Sequence, residues 1–169
     1  MTHATRSVAA LLALMLLAEQ LVFALGSKNA AYFGGTIAVY GNPKDPIEGR
    51  LDVAGESELV FTPNGQLASK TFTIPWSRVT DLEYGQKAGR RVGAAVGTTI
   101  LLGPVGLLSL FSKKRKHFLT IGFKDEADTA QVVVLELGKD IVRTTLAVVQ
   151  TRSGKPIEYQ DDEARKSAK

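Results

Sequence analysis

Asp81 and Glu83 fall on one side of an extended stretch, the spacing that a paired-carboxylate acid–base site would use. Neither a histidine nor a second carboxylate pair stands near them, so ordinary exposed strand charges are the expected reading. Asp125-Glu126-Ala127-Asp128 places three acids in four residues, but it lacks the glycine and the terminal glutamate of a calcium loop. His3 falls within the N-terminal stretch read below as an export signal and leaves His117 alone, which gives no histidine metal cluster. Ser77, Ser109 and Ser112 have no nucleophile-elbow pattern around them. Gly85-Gln86-Lys87-Ala88-Gly89 lacks the lysine and hydroxyl that a phosphate-cradling loop needs at fixed offsets. The chain holds no cysteine, which removes disulfides, thiolate metal sites and a cysteine nucleophile together. No catalytic residue, cofactor or metal is therefore expected, and the protein reads as a non-enzyme.

What remains is a surface. Val92–Phe111 is uncharged, glycine-rich and broken by Gly103-Pro104. Basic residues fence it: Lys87, Arg90 and Arg91 before it, and Lys113, Lys114, Arg115 and Lys116 after it. The chain has 21 basic and 17 acidic residues, so removing these seven leaves 14 against 17. The positive charge is thus local, as one anionic contact surface requires. Nucleic acid is not expected, because aromatics are not interleaved with the basic residues as a stacking platform needs. A membrane surface with anionic lipid, a membrane protein or a second copy of the chain are the partners expected.

The elements that would position this surface follow in order. Arg6 and the apolar run Val8–Ala18 read as an export signal over 1–26, or an N-terminal anchor, with small-residue cleavage sites after Ala18, Ala24 or Gly26. The expected location is the periplasm or the periplasmic face of the cytoplasmic membrane. Ser27–Tyr32 reads as a lead-in to a strand over Gly34–Tyr40, and Gly41–Pro46 as a turn cluster. Strands are predicted at Gly49–Val53, Glu58–Thr62 and Thr71–Ile74, with Pro63-Asn64-Gly65 turning between the last two. Trp76–Tyr84 resumes as extended chain, with Trp76 as a core or rim aromatic. His117–Lys124 and Gln131–Leu137 alternate as strands, with Leu119, Ile121 and Phe123 facing inward. Asp140 is placed to cap a helix to about Arg152, whose stripe is Ile141, Val142, Thr145, Leu146 and Val149, with Gly154 ending it. The stretch 27–158 makes one β domain with an insertion over 86–116, and the charged tail 159–169 is expected to be disordered.

Short antiparallel strands and one C-terminal amphipathic helix suit a small curved sheet or barrel, with the helix against its open end or side. Glu58-Leu-Val-Phe61, Phe72-Thr-Ile-Pro-Trp-Ser-Arg-Val79, Leu82-Glu-Tyr84 and the closing strand and helix resemble the pleckstrin-homology-like (PH-like) superfamily, in its bacterial and GRAM-type branches. The wording Trp76–Gly93, Phe111–Phe123 and Glu136–Asp140 also looks like a group of uncharacterised exported bacterial proteins. The resemblance implies a mainly β fold with one C-terminal helix and a lipid- or protein-binding role; it implies no active site.

The insertion departs from that pattern, since PH-like strands are usually joined by short polar loops. As one helix it could cross a bilayer, but a single crossing would part strands that belong to one sheet. Basic residues at both ends also disfavour it. An apolar, glycine-rich hairpin that leaves and returns on one face is expected. Its apolar contacts would be Leu101, Leu102, Val105, Leu107, Leu108 and Phe111. It could dip into a leaflet, pack on another protein through Gly93, Ala94 and Gly97, or fold back on its own domain.

Overall fold

The computed structural model of the protein describes residues 27–40, 45–86 and 116–168. Within them eight strands form one sheet: β1 Ser27–Gly35, β2 Ile47–Asp52, β3 Glu58–Pro63, β4 Phe72–Pro75, β5 Val79–Gly85, β6 His117–Lys124, β7 Ala130–Leu137 and β8 Ile157–Tyr159. Their order across the sheet is β4-β3-β2-β1-β7-β6-β5-β8, curled into a half-barrel. Every pairing is antiparallel except β5 with β8. Helix α1, Val142–Ser153, follows β7, and a short helix α2, Asp162–Ser167, follows β8.

Curling brings the edge strands to a common core. Phe72 and Ile74 of β4, Leu119, Ile121 and Phe123 of β6, Leu146 of α1 and Ile157 of β8 belong to one buried cluster. The expected inward face of β6 and the expected helix stripe both lie in it. Aromatic rings fill the side nearer β4: Phe61 stacks on Phe72 at 5.3 Å, and Tyr32 and Tyr40 lie 4.8 Å apart. Trp76 is buried in a short 3-10 turn, Trp76–Arg78, against which α1 packs, and its indole N–H donates to the Gly55 carbonyl at 2.9 Å. Gly154 closes α1 at φ +66°, a left-handed geometry that costs glycine little.

Several expectations are corrected. The first strand is Ser27–Gly35 and not Gly34–Tyr40, because those small residues fit between two paired neighbours, β2 and β7. Asp140 does not cap α1; Ile141 holds that position without a side-chain bond. The charged tail is not featureless: β8 pairs with β5, and α2 buries Ala164 while Asp161 accepts from the Ala164 amide. The Ala164 contact and the Asp161 cap hold part of a segment that composition alone marks as unfolded.

Phe123→Ala should destabilise the protein by about 3–5 kcal/mol, the usual cost of emptying a buried aromatic site. Thr73→Ala, on an exposed position of β4, should stay within about 0.5 kcal/mol. Urea unfolding of both variants measures the contrast.

Candidate functional site

The register of the sheet defines one rim. Gly85 of β5 faces Phe118 of β6, His117 faces Leu137 of β7, and Ala30 of β1 faces Leu137 from the other side. The end of β5, the start of β6, the end of β7 and the start of β1 therefore lie side by side. At this rim the chain enters at Ser27, departs after Gln86 and returns at Lys116. Residues 87–115 thus connect two neighbouring strand ends.

Of the expected contact residues, Lys87, Arg90, Arg91, Lys113, Lys114 and Arg115 lie outside the described residues, as do Leu101, Leu102, Val105, Leu107, Leu108 and Phe111. Lys116 is described, and it is engaged. Its Nζ pairs with Glu136 at 2.8 Å and lies 5.7 Å from the centre of the Phe33 ring. A half-buried pair of this kind ties the charge to the sheet and leaves less of it for an external anion.

Beside Lys116 sits a cluster that spacing could not reveal. The Tyr84 hydroxyl lies 2.6 Å from His117 Nδ1 and 3.2 Å from Ser167 Oγ, and the Tyr84 and His117 rings stack at 6.1 Å. These residues come from β5, β6 and α2, far apart in sequence. Ser167 donates to the Ala164 carbonyl at 2.9 Å, so its proton is directed at the helix backbone. His117 Nδ1 faces Tyr84 rather than Ser167, which is not the base-to-nucleophile contact of acyl transfer. The cluster fastens α2 to the rim. Burial pushes the Tyr84 phenol up, against the opposing pull of Ser167. Burial also lowers the His117 pKa; Lys139 adds to that and Glu136 opposes it.

The other candidates resolve into structural roles. Glu83 is buried and accepts from Gln160 Nε2 at 2.7 Å, correcting the expectation of an exposed strand charge. The Gln160 side chain lies where a Cβ on Gly85 would stand, so the glycine makes room for it. Asp81 accepts from its neighbour Thr80 and lies over Gly122. Asp125 caps its own turn, accepting from the amides of Ala127 and Thr129 and from Gln131 Nε2. Those bonds, the Thr129 amide foremost, hold its carboxyl below the usual range. Among the described residues no group of three or more acids and histidines is placed to hold a metal.

Among the described residues two open depressions stand out. One is polar, at the rim, lined by Asn29, Glu48, Asn64 and Glu136. The other is apolar, between Val53-Ala54 and the α1 residues Ala147, Val148 and Arg152. Among the described residues no helix is long and apolar enough to cross a membrane. No protein-family model matches the chain, and no curated protein matches it either.

His117 gives this site a pH signature. Its folded pKa lies below the ordinary 6.5, so the fold prefers the neutral ring. The contribution is complete above about pH 6.5 and is lost as pH falls through the folded pKa. Stability should fall more steeply between pH 7 and 5 in wild type than in His117→Asn. An NMR titration midpoint at or above 6.5 would contradict this.

Proposed function

We propose that the protein is an exported, non-enzymatic PH-like module of the bacterial cell envelope. It contacts a membrane or membrane protein through the basic-flanked apolar segment between β5 and β6. The observation that carries this reading is the shared rim: the apolar stretches of 1–26 and 87–115 both join the sheet at one end. Whatever one of them touches, the other can reach, so a single bilayer could hold both. The antiparallel order followed by a C-terminal helix supports the PH-like part of the reading.

The chemistry is that of a surface contact. Lys87, Arg90, Arg91, Lys113, Lys114 and Arg115 supply attraction for lipid phosphates, each worth about 1 kcal/mol near an anionic surface. Leu101, Leu102 and Val105 supply apolar burial, and salt weakens the electrostatic part. Lys116, already paired with Glu136, contributes least. The alternative is a soluble structural or assembly protein whose apolar segment is buried internally or in an oligomer interface. In that case the wild-type chain ignores vesicles.

Flotation with anionic and neutral vesicles tests the proposal. Wild type should float with anionic vesicles and less so in high salt. Changing Lys113, Lys114 and Arg115 together to Gln should weaken binding by about two orders of magnitude, the equivalent of roughly 3 kcal/mol. Lys116→Gln alone should change it far less. A folded wild type that never floats would overturn the membrane reading in favour of the alternative.

A further inference from the structure

At the end of the sheet opposite the rim, where Tyr32 pairs with Ile47, the mouth of the half-barrel is lined with rings. Tyr32, Phe61 and Phe72 are buried there. The Tyr40 ring lies against them at 4.8, 6.4 and 5.8 Å between centres. Residues 37–40 form a strap over this mouth: Ile37 and Tyr40 pack on the core, while Ala38 and Val39 are exposed.

The strap is pinned at one end and latched at the other. Just before it, the Thr36 amide donates to the Val132 carbonyl and the Thr36 hydroxyl accepts from the Val132 amide, both at 2.9 Å. Gly35 permits that approach, for at φ +140° a Cβ there would meet the Val132 carbonyl. At the far end the Tyr40 hydroxyl donates to the Lys70 carbonyl at 2.5 Å, in an exposed position. Between them the Tyr40 amide donates to the Ile37 carbonyl at 3.1 Å.

Beneath the strap one polar atom is left over. The Tyr32 hydroxyl is fully buried, and it has no hydrogen-bond partner among the described residues. Burial pushes this phenol up to about 12. The Ile37 backbone is near enough to oppose that shift, yet no bond closes between them, and Tyr40 adds to it. The hydroxyl is thus aimed at the underside of the strap. A phenol sealed in this way has lost its bond to water and gained none in return. Tyr40 is an incomplete occupant: its ring fills the aromatic space, but its own hydroxyl is engaged with Lys70 and gives Tyr32 nothing.

We propose that this mouth binds a small planar aromatic molecule carrying a hydrogen-bond acceptor, with Tyr32 as its polar anchor and residues 37–40 as the strap it displaces. Such a molecule fills the space that the Tyr40 ring now takes and accepts the Tyr32 proton as well. Aromatic walls with a convergent polar group make a small-molecule pocket, and barrel mouths are a usual place for one. The walls belong to β1, β3 and β4 within the main core, so the strap alone must move. The site lies at the end away from segment 87–115 and does not rest on membrane contact.

Hydrogen exchange of the Tyr40 amide in the full chain reads the strap, because lifting it breaks the bond to Ile37. In wild type this amide should exchange at least about a hundredfold faster than that of Ile121, in the centre of the sheet. Equal rates would show that the strap opens only with the whole fold, and would overturn the proposal. Tyr32→Phe keeps the ring and removes the unpaired hydroxyl, so Tyr40 exchange should slow about tenfold. An unchanged rate would mean that the hydroxyl is already satisfied in the closed form, and would equally refute it. Tyr40→Phe, which removes the latch on Lys70, should speed exchange at the same amide. Millimolar benzamide, a planar ring with a carbonyl acceptor, should also speed it severalfold in wild type. Toluene, planar without an acceptor, should act far less, and Tyr32→Phe should abolish the difference between the two. No effect of benzamide, or equal effects of both in wild type, would overturn the assignment. Vesicles are absent throughout, so this proposal and the membrane reading fail separately.

Discussion

The antiparallel register that sets Gly85 against Phe118 is the constraint on which the rest of the molecule depends. It fastens the two ends of the apolar and basic segment 87–115 to adjacent positions, so the segment must return to where it began. The same ladder continues through β7 to β1, which brings the start of the described chain to the same rim. Through Tyr84 it also holds the last helix there, since the Gln160 amide donates to the Tyr84 carbonyl and Ser167 meets the Tyr84 hydroxyl. Had β5 and β6 been parallel, the segment would need to run the length of the sheet, and the basic fences at its two ends would lie far apart.

A sheet with one buried face obtains its stability from one core. Here β6 and β7 are buried on both faces, for their inward residues Leu119, Ile121, Val133 and Leu135 and their outward residues Phe118, Thr120, Val132 and Val134 are all nearly inaccessible. Such strands are characteristic of the centre of a layered structure, not of a sheet with water on one side. β2, β3 and β4, by contrast, keep charged and hydroxyl side chains outside. The half of the sheet that carries the insertion is thus also the half that needs a second layer.

Much of this was legible in the residues. β6 coincides with its expected bounds, His117–Lys124, because alternation and flanking charges mark both ends. The helix stripe was equally legible, since Val142, Leu146 and Val149 recur at helical spacing. The first strand was not. Ser27–Gly35 carries small and polar residues of weak β-propensity, and it is a strand because it is paired on both sides, a tertiary effect that local preference does not record. The tail misled for the opposite reason: a charged composition hid Ala164, which α2 buries. The Tyr84–His117–Ser167 cluster joins residues separated by 33 and 83 positions, so no spacing rule could have found it. The outer cluster was visible only as Phe118 on what looked like the polar side of its strand.

Lys116 belongs to the sheet as much as to the basic run that ends with it. In a run of four basic residues, the last is turned back onto the protein: its charge meets Glu136 and its ammonium lies over the Phe33 ring. A lysine over an aromatic face beside a carboxylate ties the start of β6 to β7 and β1, although such a pair is worth little on its own. Lys113, Lys114 and Arg115, the basic residues before it, lie outside the described residues. One member of the basic run is thus accounted for by the fold, and its charge is the least available for the contact proposed above.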